Sequence, residues 1–272
     1  MSFEMGLDKC SYLTVINDEA YIPGAVALSR NLKAVNSSFP LNVLVPGKCE
    51  EIKLELSAEG ISVIDADSRV DDYSIALEGH YWAKTFFKLQ AFGLQQFSKL
   101  VLIDSDVLVL KNLDRLFGLP HLSAASAGPA IGLRGDSWSC FNSGLMVVEP
   151  SMKFLEKALD AIDTVVEQRL SRGMRVGDQD VLNKIEREAW QFSSQKRIPE
   201  TYNVFWQFLE ELCLYQLPNG LSDVAMVHFT GSRKPWHYSE TELERLLQDL
   251  ASDGKSCTAY VLKKFLSYLE GK

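Results

Sequence analysis

The chain has 272 residues, with 28 Lys and Arg against 36 Asp and Glu, a formal net charge of −8, and 46% hydrophobic residues. This is an ordinary globular composition, and a chain of this length buries roughly three quarters of its unfolded surface, so no covalent staple is needed. The acidic balance argues against general binding of nucleic acid or anionic lipid, which takes clustered Lys and Arg; an anionic ligand must be held by a local device. Cys10, Cys49, Cys140, Cys213 and Cys257 are odd in number and show no C-x-x-C spacing, which suggests neither a zinc site nor a disulfide framework. The opening MSFEMGLDKC lacks the basic-then-apolar order of a signal peptide, and no apolar run approaches the ~20 residues of a membrane span. The expectation is a soluble cytoplasmic protein with no membrane and no nucleic-acid partner.

Residues 10–16 read as a buried strand, Asn17-Asp18-Glu19 as a polar turn and helix cap, and 20–32 as a helix. Residues 41–45 form a second strand closed by Pro46-Gly47, 50–56 a short helix, and 61–64 a third strand after Gly60. Residues 68–80 are polar and acidic, a loop or lid, and 82–97 carry Phe86, Leu89, Phe92 and Leu94 at helical spacing ahead of the apolar segment 99–110. Alternating strand and helix is the signature of a doubly wound parallel sheet. In the second half, 126–139 is a Gly, Ala and Ser-rich loop, 140–148 a polar corner feeding an apolar strand, and 151–170 a long amphipathic helix. Gly177-Asp178-Gln179-Asp180 caps a further helix, 198–202 and 226–229 read as short strands, and 240–250 and 259–269 as surface helices. No internal repeat or linker divides the chain.

Two apolar runs, 100–103 and 107–110, flank Asp104-Ser105-Asp106. Carboxylates are costly to bury unpaired, so the tripeptide belongs at the strand's carboxyl end, where open α/β sheets hold their ligands. One residue apart on extended backbone, Asp104 and Asp106 point the same way and can chelate one hard cation. His228, in Met226-Val-His-Phe-Thr-Gly, is the candidate third ligand, and an oxygen-plus-imidazole set suits Mn²⁺ better than Mg²⁺. Gly231 permits close backbone approach, and Lys234 is a point charge suited to phosphate. Lys84 and Lys88, four apart, share a helical face; Asn142-Ser143-Gly144 gathers hydrogen-bonding groups at a strand start; Asp178-Gln179 stands at a helix N-terminus. Each also has a plain structural reading: an acidic turn, a core histidine, a basic surface turn, a cap.

Taken together, Val15…Asn17, Lys88, Asp104-Ser-Asp106, Phe141-Asn-Ser-Gly144, Gly177-Asp-Gln179 and His228-Phe-Thr-Gly-Ser-Arg-Lys-Pro-Trp236 closely resemble, in order, the glycogenin-like family 8 glycosyltransferases. The resemblance covers residues 11–238. It implies an α/β GT-A fold: a Rossmann-like nucleotide-binding sheet flanked by helices, in a single domain 1–272 with an irregular C-terminal half. Within it, residues 10–110 would bind nucleotide, 111–238 the acceptor and donor sugar, and 239–272 would be C-terminal helices. The implied reaction is retaining transfer of galactose or glucose from UDP-galactose or UDP-glucose to a glycan or glycoprotein acceptor, with Mn²⁺ or, alternatively, Mg²⁺. Carried over residue by residue, Asp104, Asp106 and His228 ligate the metal, and Val15, Asn17 and Tyr21 line the uridine site. Gly231 and Lys234 hold the diphosphate. Ser105, Lys88, Asn142, Ser143, Asp178 and Gln179 face the donor, with Asp178, Gln179 and Lys234 in the catalytic roles.

The chain departs from glycogenin where that protein glucosylates its own tyrosine. By spacing from Tyr202 the acceptor position falls near Glu210, Tyr215 stands at a different offset, and no long tail follows Lys272. A separate acceptor is therefore expected. The favoured member type is the protist cytoplasmic α-galactosyltransferase that extends a hydroxyproline-linked glycan on the adaptor of SCF-type ubiquitin ligases. A self-glucosylating glycogenin, a galactinol synthase-like enzyme and a non-catalytic UDP-sugar-binding module are the alternatives, and a homodimer through the terminal helices is left open. Ser126-Ala-Gly-Pro stands where the family often carries an aspartate, Asp136 is the only carboxylate of that enlarged loop, and Arg175 aligns with another family aspartate, so the donor sugar stays undecided.

Overall fold

The computed structural model describes residues 9–66, 83–126 and 140–271. The loop or lid read at 68–80 and the 127–139 part of the second loop, with Asp136, lie outside them. The strands are β1 (Cys10–Val15), β2 (Leu41–Pro46), β3 (Ser62–Ala66), β4 (Lys99–Ile103), β5 (Val107–Val109), β6 (Ala124–Ser126), β7 (Phe141–Val148), β8 (Val204–Phe205) and β9 (Met226–His228). Six form one sheet in the order β3-β2-β1-β4-β7-β6, and three a smaller sheet in the order β5-β9-β8. The helices are α1 (Ile22–Ala34), α2 (Glu50–Ala58), α3 (Met152–Leu170), α4 (Asp178–Gln191), α5 (Leu209–Tyr215), α6 (Glu240–Ser252) and α7 (Ser256–Leu269).

β1 to β4 are parallel, as the strand–helix alternation requires. The doubly wound expectation fails beyond them: β7 runs antiparallel to β4, and β6 antiparallel to β7. Parallel pairing needs a crossover long enough for a helix. Between β4 and β7 the described residues offer only a short 3-10 turn at Asp114–Gly118, so the chain returns in the opposite sense. β4 is buried on both faces: Leu100 and Leu102 pack with Leu155, Ile162 and Val181 from α3 and α4, while Val101 and Ile103 pack with Leu28 and Leu32 from α1. Each such side chain, removed from water, contributes about 1.5–3 kcal/mol.

The segment 99–110 is not one strand. The chain leaves the large sheet at Ile103 and joins the small one at Val107, with Asp104-Ser105-Asp106 between them. The described part of 82–97 is a 3-10 helix, Ala83–Gly93, rather than an α-helix. Phe86, Leu89 and Phe92, all fully buried, recur every third residue, and a three-residue turn stacks them on one side. Residues 198–202 do not form a strand. Ile198 N–H reaches Ala124 O, Pro199 has no N–H to continue a ladder, and Glu200–Tyr202 turns as a 3-10 helix.

Helix starts follow the sequence. Ser151 Oγ accepts from Phe154 N–H, Asp180 accepts from Gly177 N–H, and Ser239 and Glu242 form a reciprocal box. The stripe of α7 is covered within the chain, where Val261, Leu262 and Phe265 pack with Ala27 and Phe229. Arg30 donates to the carbonyls of Tyr268 and Leu269, both at 2.9 Å, which seats the helix end on α1. All five cysteines are free, and no described helix is long and apolar enough to cross a membrane.

Candidate functional site

The site forms where the chain changes sheets. Asp104 N–H donates to Gly144 O at 3.0 Å, which extends the β4–β7 pairing by one residue. Two residues on, Phe229 N–H donates to Asp106 O at 2.8 Å, and β5 pairs with β9 so that Val107 lies opposite His228. The D-x-D turn is thus held from both sides. The first turn of α1 closes it from a third: a Cβ on Gly24 would stand 2.8 Å from Ser105 O and 2.7 Å from the Trp236 ring. A side chain there would push the helix off the turn, which is the physical reason for glycine.

Asp104, Asp106 and His228 each offer a ligand atom, and these lie within 4.8 Å of one another. His228 Nε2 is 3.2 Å from Asp106 Oδ1 and 3.8 Å from Asp104 Oδ2. The second oxygen of each carboxylate meets a lysine. Lys88 Nζ is 2.6 Å from Asp104 Oδ1, and Lys234 Nζ is 2.5 Å from Asp106 Oδ2. Two carboxylates and an imidazole converge from one side while ammonium groups balance the other, a donor set that fits one divalent cation of the Mn²⁺ or Mg²⁺ type.

These charges are largely buried. Asp106, Lys88 and Lys234 are 6%, 9% and 5% exposed. Burial pushes the Asp106 carboxyl up, but His228 and Lys234 outweigh it and hold the group well below the usual carboxylate range. Burial likewise pushes the Lys88 ammonium down, and Asp104, Asp178 and Asp106 outweigh that and raise it above its ordinary value. Lys88 bridges two parts of the site, because Asp178 Oδ2 is 3.5 Å from the same ammonium. Removing one partner from such a buried pair costs about 3–5 kcal/mol.

Asp178 and Gln179 do not cap α4. Asp180 does that, leaving Asp178 buried against Lys88 and Gln179 turned toward β7. Gln179 Oε1 accepts from Asn142 Nδ2 at 2.9 Å and from Ser143 N–H at 3.2 Å. Val15 ends β1, beside β4. Asn17 Nδ2 donates to Lys84 O at 2.5 Å, and Tyr21 meets the Trp236 ring edge-on, with centroids 6.0 Å apart. Gly231 has φ +117°, a conformation side chains rarely adopt. The Lys234 ammonium lies on Asp106 and on Phe229 O at 3.2 Å, at the edge of the same cluster. Arg175 is exposed, and its carbonyl accepts from Arg169.

Sequence reasoning missed Asn203. It is 5% exposed, and its Oδ1 lies 3.1 Å from His228 Nδ1. Its only sequence signal is that it stands next to Tyr202; the contact arises from the parallel pairing of β8 with β9. Glu210, read as standing near the self-acceptor position, instead accepts from Thr258 N–H at 3.0 Å and Thr258 Oγ1 at 3.1 Å at the start of α7.

Residues 13–240 match the family model Glycosyl transferase family 8. Glycogenin-1 of Oryctolagus cuniculus is 30% identical over 238 residues, 84% of this chain and 66% of that protein. A candidate UDP-glucuronate:xylan alpha-glucuronosyltransferase 3 of Arabidopsis thaliana is 30% identical over 243 residues, 86% of this chain and 36% of its own length. The chain thus spans between about one third and two thirds of these relatives. Among solved structures, galactosyltransferase LgtC in complex with donor and acceptor sugar analogs shares the architecture, with a TM-score of 0.65 over 96% of this chain and 95% of that one at 19% identity. The fold is accordingly GT-A, and the chain belongs to glycosyl transferase family 8.

Proposed function

We propose that the protein is a Mn²⁺-dependent retaining hexosyltransferase that moves galactose or glucose from a UDP-sugar to a separate glycan or glycoprotein acceptor. The observation that carries this reading is the convergence of Asp104, Asp106 and His228, with Lys88 and Lys234 on the remaining carboxylate oxygens. A relative named for UDP-glucuronate supports a UDP-sugar as donor. In this reading the three convergent residues hold the cation, which, when bound, neutralises the diphosphate as it leaves.

The transferred sugar's anomeric C–O bond to the diphosphate breaks, and the acceptor hydroxyl forms the new bond on the same face. The hydroxyl proton passes to the departing phosphate oxygen. Lys234 supplies a buried positive charge as negative charge develops on that oxygen. Asp178, buried and lacking a hydrogen bond to its Oδ2, places a negative charge beside the oxocarbenium-like centre, with Lys88 setting its position. Gln179 and Asn142, bonded to each other, offer the donor sugar a fixed polar wall. Val15, Asn17 and Tyr21 line the uridine side, and Ser105, Ser143 and Gly231 bring backbone close to the donor.

A separate acceptor is favoured over self-glucosylation because Glu210 is engaged with α7. Within that reading an α-galactosyltransferase acting on a cytoplasmic protein-linked glycan, of the hydroxyproline-linked type, is preferred. Incubation with UDP-galactose, UDP-glucose or UDP-glucuronate and Mn²⁺ tests it. UDP release from one of the hexose donors, abolished by EDTA and by Asp106→Ala, is expected. No release from any donor, with UDP binding indifferent to Asp106→Ala, refutes the reading, and tight UDP-sugar binding without release identifies a binding module instead.

A further inference from the structure

The roles of the two His228 ring nitrogens are decided by a chain of hydrogen bonds whose direction is set by the backbone. Gly144 N–H can only donate, and it donates to Asn142 Oδ1 at 2.7 Å. Asn142 therefore turns its NH₂ the other way, toward Gln179 Oε1 at 2.9 Å. That oxygen is fixed independently, because Ser143 N–H also donates to it. Asn203 approaches the same Asn142 Oδ1 at 2.7 Å, an atom with only lone pairs to offer, so Asn203 must present its NH₂ there. Its carbonyl oxygen is left facing His228 Nδ1 at 3.1 Å. An oxygen in that position requires a proton on Nδ1. Nε2 is the nitrogen that faces the two carboxylates.

The ring has little freedom to do otherwise. His228 is 5% exposed, the Phe205 ring stands perpendicular to it with centroids 5.6 Å apart, and the Gly144 backbone fills the space beside Cε1.

We infer that Asn203 is a positioning residue of the metal centre: it accepts from Nδ1 and so leaves Nε2 as the nitrogen presented to a cation held by Asp104 and Asp106, and it ties that ligand to Asn142 and Gln179 on the donor side. The inference rests on the metal reading under the proposed function. Outer partners of ligating histidines commonly set ring orientation and basicity, and their loss typically costs 10–100-fold in metal affinity. Here the outer partner is an amide rather than the usual carboxylate or backbone carbonyl. Being uncharged, it can also donate onward to Asn142, which a carboxylate cannot. The metal ligand and the donor-sugar wall are thereby parts of one polar chain.

The experiment measures free Mn²⁺ by electron paramagnetic resonance during titration of the wild type, Asn203→Ala and Asn203→Asp, each first shown to melt cooperatively. Asn203→Ala is expected to bind Mn²⁺ about tenfold or more weakly. Asn203→Asp keeps an acceptor at Nδ1 but loses the donor to Asn142, and its affinity is expected to fall between those of the wild type and Asn203→Ala. In the metal-free protein, ¹H–¹⁵N spectra should show a slowly exchanging His228 Nδ1–H that is lost in Asn203→Ala, a signature no general packing defect would imitate. Equal affinity of Asn203→Ala and wild type, equal weakening of Asn203→Asp and Asn203→Ala, or an unprotonated Nδ1 in the wild type each overturns the inference while leaving the metal reading intact. A wild-type protein that binds no Mn²⁺ overturns the metal reading, and the inference with it.

Discussion

Gly144→Ala is the smallest change that should disable the metal centre without altering any ligand. Gly144 sits in β7 with no positive φ, so an alanine meets no backbone strain there; the obstacle is space alone. An added Cβ would stand 2.6 Å from His228 Cε1, 2.9 Å from His228 Nδ1 and 2.7 Å from Asn142 Oδ1. To reach even a 3.4 Å contact, the shortest ordinary one, the imidazole must recede by 0.8 Å. Cε1 is bonded to Nε2, so the ligating atom moves with it. Metal–imidazole bonds are only about 2 Å long, as in zinc sites, and a displacement of that size gives up the ligand. The expected cost is about a hundredfold in Mn²⁺ affinity, equivalent to about 2.8 kcal/mol. Overpacking adds about 1–3 kcal/mol of destabilisation. Titration of free Mn²⁺ against Gly144→Ala, His228→Ala and the double variant provides the assay. Because both changes remove the same ligand, the double variant should bind no worse than His228→Ala alone. Fully additive losses, or a folded Gly144→Ala protein within about threefold of wild-type affinity, would refute the reasoning.

Lys234→Met keeps the buried stem but removes the charge on Asp106, and UDP release from the active donor should fall by about 10²–10³-fold in a coupled assay; unchanged release would remove Lys234 from the catalytic set. Glu210→Ala should lower the melting temperature by about 6 °C or more through loss of two charged-group hydrogen bonds at the start of α7, with UDP release unchanged. Intact-mass measurement after incubation with UDP-glucose should show no added hexose on the wild-type chain. His121 predicts acid sensitivity: burial pushes its imidazole down from 6.5 to about 4, and Nδ1 accepts from Glu149 N–H, which a protonated ring cannot do. The unfolded chain takes up this proton first, so the contribution is complete above pH 6.5 and is lost as pH falls through that value toward 4. It amounts to on the order of 3 kcal/mol. The fall in melting temperature between pH 7 and pH 4.5 should be smaller in His121→Phe than in wild type, and an equal fall would refute this.

What the sequence determined by itself is the set of parts and their order. The continuous apolar run at 100–103 placed β4 in a sheet buried on both faces, because only covered strands can do without polar alternation. Gly177-Asp178-Gln179-Asp180 marked a helix start through local chemistry that needs no tertiary partner. Asp104, Asp106 and His228 were legible as ligand types, and the order of the motifs pointed to the family. Where local rules compete with packing, the sequence misled: Phe86, Leu89 and Phe92 fit either helical period, and Pro199 ended a strand the apolar pattern had suggested.

Only the tertiary structure decided how the parts meet. The switch of chain direction between Ile103 and Val107 carries one apolar segment into two sheets, and pairing of β5 with β9 brings a histidine more than 120 residues away opposite the acidic turn. Register is a long-range property, fixed by which strands share a ladder, and no local pattern encodes it. The same pairing, extended through β8, sets Asn203 behind His228, and packing of α4 on β7 sets Gln179 on Asn142. Lys234 shows the same division. Its sequence context fits a phosphate-binding lysine, and only the fold places its ammonium beside Asp106, where a buried cation and a buried carboxylate offset each other's loss of solvent.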